Sequence, residues 1–161
     1  SDIPNHFAAD RTQLQCHSME YPSGTGLRVL SLAMGTFLIC MGLNKLGWLV
    51  DSRFLAAELA GWREFAPPIS RWYIDMIAIP GAPFFARLVL LGELASGVAL
   101  IVGYRVRLAA LLALFMVLNF HFAMGILVQF AYLTNGYGLP VVGGLAALVM
   151  GAKQLPFGIS R

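Results

Sequence analysis

Four stretches of this chain are apolar for long enough to cross a bilayer, and polar or turn-forming residues separate them. A membrane helix needs about 20 largely apolar residues at a rise of ~1.5 Å each. Residues 27–50 satisfy this, interrupted by Arg28 near the start and by Asn44–Lys45 near the end. Residues 83–104 satisfy it with Arg87 and Glu93 inside, and residues 106–129 with Asn119 and His121 inside. A fourth span over 133–152 is long enough only when Leu139–Ala152 is extended backwards, through a stretch that Asn135–Gly136 and Pro140 distort.

The connection 51–81 has a different pattern. Leu55, Leu59, Trp62 and Ala66 recur at i, i+4, i+7 and i+11, one stripe of a helix. Pro67–Pro68 ends that helix. Trp62, Trp72 and Tyr73 are residue types that favour the headgroup level. The segment therefore reads as one or two interfacial helices lying on the end of the bundle. The predicted fold is an all-α integral membrane protein, a four-transmembrane-helix bundle with interfacial helices between spans 1 and 2. A polar segment, 1–26, precedes the membrane domain, 27–153, and a tail, 154–161, follows it.

Composition agrees with lipid as the main solvent. Of the 161 residues, 58% are hydrophobic and 12% charged, and mean hydropathy is +0.74. Soluble domains carry roughly 25% charged residues, so about half the expected charge is missing. The net charge of +3 is scattered, with no Lys/Arg stripe to track phosphates, which excludes nucleic acid as a partner. Residues 1–26 lack a basic start before a short apolar core and do not read as a signal peptide. The initial serine fits removal of an initiator Met. Cys16 and Cys40 leave the redox compartment open, and Cys16–His17 with His6 matches no zinc spacing, so no metal site is expected.

Lys/Arg placement suggests an orientation. Arg105 and Arg107 occupy a very short connection, Arg11 and Arg28 precede the first span, and Lys153 and Arg161 follow the last. The connection after the third span has none, while the first holds Arg53, Arg63 and Arg71 with acidic partners that count little in this rule. By the positive-inside rule the balance favours both termini in the cytoplasm.

Ionisable residues at membrane depth are the candidate chemistry, because they are costly there unless paired or functional. Glu93 lies about ten residues into its span, hence ~15 Å deep. Lys45 and Arg87 lie about one turn inside the non-cytoplasmic edge, and His121 some ~9–12 Å from it. These residues, with Asn44, predict a polar layer in one leaflet, with Glu93 at its floor. Two readings stay open. Glu93, Lys45 and His121 form a site, or Lys45 and Arg87 snorkel to the headgroups while Glu93 is merely neutralised and His121 bonds across helices. Asn119 and His121 are ~200° apart on a helix, so the two cannot face the same interior. Gly35 and Gly42 on the first span, Gly97 four residues after Glu93, and Gly143–Gly144 mark places where backbones approach closely.

Several of these residues carry a resemblance. Glu93-x3-Gly97, then Gly103, then the Leu/Ala-rich run Arg107–Met116 resembles the DoxX family of small four-helix bacterial membrane proteins. The first span adds Gly35, Gly42 and Lys45 in a G-x6-G-x2-K arrangement, and the likeness extends over about Gly26–Lys153. Arg28 stands about a turn earlier than the family's basic residue. The family includes the DoxD-type subunit of thiosulfate:quinone oxidoreductase, and the resemblance implies a bacterial inner membrane as the location. The resemblance therefore implies a membrane subunit of a quinone-linked redox system, with Glu93, Lys45 and His121 contributing to a quinone or lipid-headgroup site. The alternative is a non-catalytic accessory subunit that stabilises a larger respiratory, oxygenase or photosynthetic complex. Either reading expects other membrane subunits as partners, and neither assigns a catalytic residue. His121 is the one histidine at membrane depth, so bis-His haem ligation within one chain is not expected; a pigment or lipid ligand at His121 stays open.

Overall fold

The structure is a computed structural model that describes residues 24–155. The polar segment up to residue 23, with His6, Cys16 and His17, and the tail from residue 156 lie outside the described residues.

Helix α1 covers Thr25–Leu43. It buries Ser31, Gly35, Leu38 and Gly42, a stripe of small residues around one leucine. The chain then tightens into successive i→i+3 turns, Lys45 N–H to Gly42 O at 2.9 Å and Trp48 N–H to Lys45 O at 2.8 Å, before a short helix α2, Gly47–Val50. The expected span 27–50 is thus broken at Asn44–Leu46. Helical bonding gives way just where the polar pair Asn44–Lys45 interrupts the apolar run.

Helix α3, Arg53–Phe65, opens on Asp51, whose carboxylate accepts the Arg53 backbone N–H at 2.9 Å. Leu55 and Leu59 are buried, as is Ala66 just beyond the helix, while Trp62 is half-buried. The predicted stripe therefore faces protein. Pro67 is extended, and Pro68 starts helix α4, Pro68–Tyr73, where its missing N–H costs nothing. A π turn, Ile74–Ala78, leads on towards α5. Ser70 Oγ donates to Phe122 O at 2.7 Å and Tyr73 bonds with Asn119, fastening α4 to the helix that follows α5.

Helix α5, Ala82–Val102, and helix α6, Val106–Met124, are joined by a three-residue reversal. Gly103 takes φ +82°, a left-handed conformation that ends α5 without a Cβ penalty. Gly125, φ +71°, ends α6 in the same way and also lies against Pro67, leaving no room for a side chain. Two short 3-10 turns, Ile126–Val128 and Phe130–Leu133, lead to helix α7, Leu139–Gly151.

Among the described residues three helices, α1, α5 and α6, are long and apolar enough to cross a membrane; α7 is apolar but has 13 residues, ~20 Å against a hydrocarbon core of ~30 Å. In the packing α1 lies on α5, α5 on α6, α6 on α7, and α7 on α1, a closed four-helix ring. At the end holding the α5–α6 reversal the ring is solid, filled by Leu38, Leu100, Ala110, Ala113, Leu145 and Leu148. At the other end Leu55 and Leu59 of α3 and Ile74 and Ala78 of the π turn pack with Ala82, Ala86 and Ala123.

Candidate functional site

Between the solid core and the α3–α4 cap lies a cavity of about 560 Å³, within the size range of small-molecule sites. Leu38 and Val141, both buried core residues, close its floor. Asn44, Lys45 and Trp48 come to it from the end of α1 and the turn beyond. Glu58 and Trp62 come from α3, Glu93 from α5, and Phe120 and His121 from α6. Asn135 and Tyr137, before α7, complete the wall.

Glu93 reaches this place because α5 turns Ala82, Ala86, Leu90, Glu93, Gly97 and Leu100 inward along one stripe. Eleven residues separate Glu93 from Ala82, ~17 Å of helix, which puts it near the middle of α5. Gly42 of α1 has its open side against the Glu93 and Leu94 side chains. The turn that follows brings Lys45 over the carboxylate, and Lys45 Nζ donates to Glu93 Oε1 at 2.5 Å. Glu93 is buried and Lys45 partly so, with side-chain exposures of 8% and 14%. Glu93 Oε2 is buried and has no hydrogen-bond partner among the described residues.

Aromatic rings enclose the ammonium. Lys45 Nζ lies 5.6 Å from the Trp48 ring centre and 5.4 Å from that of Phe120, distances at which a ring's negative face attracts a cation. Trp62 meets Phe120 edge-to-face, at 5.8 Å between centres and 87° between planes. The result is a half-polar, half-aromatic chamber in which Trp48 and Phe120 lie against the Lys45 end of the ion pair.

His121 is buried, 5% exposed. Its Nδ1 is 3.2 Å from the Tyr132 hydroxyl, and the two rings stand nearly perpendicular. When Tyr132 donates in this bond, the neutral imidazole keeps its proton on Nε2, which makes the ring a donor on its other side. Tyr132 belongs to the turn after α6, so an ordered loop sets the orientation of a helical histidine.

The sequence-derived candidates meet different fates. Lys45, Glu93 and His121 all line the one cavity, and Asn44 sits at its exposed edge. Arg87 does not belong to the predicted polar layer. Ala86 and Leu90 take the inward positions, so Arg87 is exposed and donates to Pro83 O at 2.5 Å on its own helix. Asn119 turns away from the cavity to Tyr73, as its angular separation from His121 requires. Sequence reasoning did not find Trp48, Phe120, Tyr137, Tyr132 or Glu58. Phe120 and Tyr132 look like any other apolar or interfacial aromatic in sequence, and Glu58 reads as the solvated side of an amphipathic helix.

No curated protein and no solved structure matches this chain. The sequence model of the DoxX family does match it, over residues 26–126, which includes Gly35, Gly42, Lys45, Glu93, Gly97 and His121. A match over more than half of the chain makes this protein a member of the DoxX family of membrane proteins.

Proposed function

We propose that the cavity is a binding site for a quinone-type headgroup, and that the protein serves a membrane redox system as its quinone-interacting subunit. The observation that carries this reading is the chamber itself: one cavity lined by the Lys45–Glu93 pair, His121 and the rings of Trp48, Trp62 and Phe120. A quinone ring is flat and apolar with polar oxygens at opposite ends. Trp48, Trp62 and Phe120 suit the ring, and Lys45 and His121 supply donors to its oxygens. Carboxylate and imidazole are also the groups that move protons to and from such oxygens.

In this reading electrons come from a partner subunit. The four-span topology belongs to the same proposal: α7 with the turns before it completes a fourth crossing. Charge distribution supports an orientation with the cavity in the non-cytoplasmic half. Among the described residues every acidic side chain, Asp51, Glu58, Glu64, Asp75 and Glu93, belongs to the cap or the cavity. Arg28, Arg105, Arg107 and Lys153 gather at the opposite end of the helices, Arg105 and Arg107 in a very short connection of the kind the positive-inside rule weighs, while Arg53, Arg63 and Arg71 stand in the long connection between α1 and α5.

The test is photolabelling in bacterial membranes with an azido-benzoquinone bearing a ten-carbon tail, followed by peptide mapping. Adducts should fall on the Lys45–Trp48 turn, Trp62 and Phe120, and excess unlabelled quinone should suppress them. Labelling spread over the lipid-facing residues of α5 and α6, without competition, would end the quinone reading and leave an accessory role.

A further inference from the structure

The seam between α1 and α7 is tight beside the solid core and thin beside the cavity. On the core side Gly144 of α7 faces Met34 and Leu30 of α1, a built Cβ lying 3.3 Å from Met34 Sδ. Gly151 lies so close to Leu27 that a Cβ there would stand 2.6 Å from it. At the level of the cavity this packing stops, because α7 begins only at Leu139 and a turn precedes it. Asn135 holds that turn: its Oδ1 accepts the Tyr137 backbone N–H at 2.9 Å and its carbonyl accepts that of Gly138 at 3.0 Å. The turn presents Tyr137 to Phe37 of α1, with ring centres 6.1 Å apart. Phe37, Met41 and Tyr137 all line the cavity, yet Tyr137 is 63% exposed and Phe37 and Met41 are half-buried. Here the wall is one side chain thick, with the cavity on one side and the surroundings of the bundle on the other. Phe37 stands six residues before the end of α1, ~9 Å inside it. At that depth in a membrane the surroundings are acyl chains.

Resting on the quinone-site reading above, we propose that the ligand is a membrane-borne amphiphile with a long apolar tail, which leaves the cavity between Phe37 and Tyr137 into lipid while the headgroup stays at Lys45. Phe37, Met41 and Lys45 follow one another at four-residue intervals, so the seam lies below the ammonium on one stripe of α1 and the turn that extends it. A cavity of about 560 Å³ holds a ring and the first carbons of a tail, and a longer chain must pass out of it. At the other rim stand the exposed polar residues Asn44, at the end of α1, and Glu58, in the cap. A tail leaving there would meet headgroups and water, and each methylene left in water weakens binding about fourfold. Between Phe37, Met41 and Tyr137 the tail meets apolar side chains and then lipid, the solvent it came from, so it loses nothing by binding.

The test uses the full, unaltered chain in phospholipid vesicles, so no variant has to fold. Two benzoquinone probes share one alkyl tail, the first with an azide on the ring and the second with a diazirine at the fifth tail carbon. After photolysis and peptide mapping, ring adducts should fall on the Lys45–Trp48 turn and Phe120, and tail adducts on Phe37, Met41 and Tyr137. Ring adducts in the cavity with tail adducts on Asn44, Glu58 or Asn135, or spread over α5, would overturn the inference and leave the quinone site standing. Absence of ring adducts from the cavity would remove the quinone reading, and the inference with it. Equilibrium binding supplies a second measurement, with tails of ten, fifteen and twenty carbons and affinities referred to the probe concentration in the bilayer. The three affinities should agree within about twofold, because the added carbons stay in lipid in both states. A steady change with tail length would overturn the inference, most plainly a loss approaching fourfold per methylene, which would put the tail in water.

Discussion

Gly35 and Gly97 meet backbone to backbone where α1 crosses α5. A Cβ built on either glycine lies 2.8 Å from the carbonyl oxygen of the other. No side chain intervenes, so the two helices approach as closely as their main chains allow. This contact sets the register of everything beyond it. On one side Ser31 Oγ donates to Leu100 O at 2.8 Å, and the Arg28 guanidinium donates to Ile101 O at 2.6 Å and Leu100 O at 3.2 Å. On the other, Gly42 reaches the Glu93 stem and Lys45 its carboxylate.

Alanine at Gly35 or Gly97 should therefore be costly despite its small size. The obstructing atoms include main-chain oxygen, which cannot rotate away, and overpacking of this kind costs typically ~1–3 kcal/mol. Gly61 and Gly143 lie in helices with open space around a built Cβ. Alanine there should be neutral or stabilising by up to ~1 kcal/mol, since glycine is the poorer helix former. Unfolding of the four variants in mixed micelles compares them directly. A Gly35→Ala protein as stable as Gly61→Ala would contradict this account of the crossing.

Removing Lys45 should harm the bundle more than removing the pair. Lys45→Met leaves a buried carboxylate uncompensated, a change that costs on the order of 3–5 kcal/mol. Exchanging both partners for apolar residues, Lys45→Met with Glu93→Leu, removes the desolvated charge as well and should recover most of the loss. A double-mutant cycle of unfolding free energies measures the coupling. Additive losses would mean that the two residues do not stabilise one another.

The cap carries its own pH dependence. The Arg63 guanidinium donates to both oxygens of Asp75, at 2.6 and 3.0 Å, tying α3 to the π turn. This bond holds the Asp75 carboxyl below its ordinary value of 3.8. A group whose folded pKa is depressed contributes stability that is fully present above the unfolded pKa and lost as pH falls through the folded one. Hydrogen exchange of α3 and α4 amides, corrected for intrinsic rates, should therefore be unchanged between pH 7 and 5. Protection should weaken below about pH 4, and Asp75→Asn should already be weakened at pH 7. The pair is exposed, so the effect belongs to local opening of the cap and not to the whole bundle. Identical acid sensitivity in Asp75→Asn would assign the change to another group.

Membrane orientation is open to direct measurement. In a variant with both native cysteines replaced, single cysteines at Ser52 and at Lys153 should react with a membrane-impermeant thiol reagent from opposite faces. Ser52 should be labelled in intact cells and Lys153→Cys only after the membrane is opened. Labelling of both from one side would refute the four-span topology.

Hydrophobic pattern alone located the long helices, because about 20 apolar residues in a row are costly in water wherever the chain folds. It also revealed the buried stripe of α3, where one side of the helix meets protein and the other is polar, so that Leu55, Leu59 and Ala66 stand out against Arg53, Glu58 and Glu64. Glu93 and Lys45 were conspicuous for a related reason: a charge among apolar residues demands a partner. What no pattern along the chain decides is the rotation of α1, α5 and α6 about their own axes. Lipid and bundle interior are both apolar, so Leu91 and Leu108 facing outward resemble Leu90 and Leu145 facing inward. That rotation sends Arg87 out and Glu93 in, turns Asn119 to Tyr73 and His121 to Tyr132, and brings Trp48 and Phe120 around Lys45. Only tertiary packing settles it, through backbone contact at Gly35 and Gly97 and the few hydrogen bonds that have no substitute in lipid.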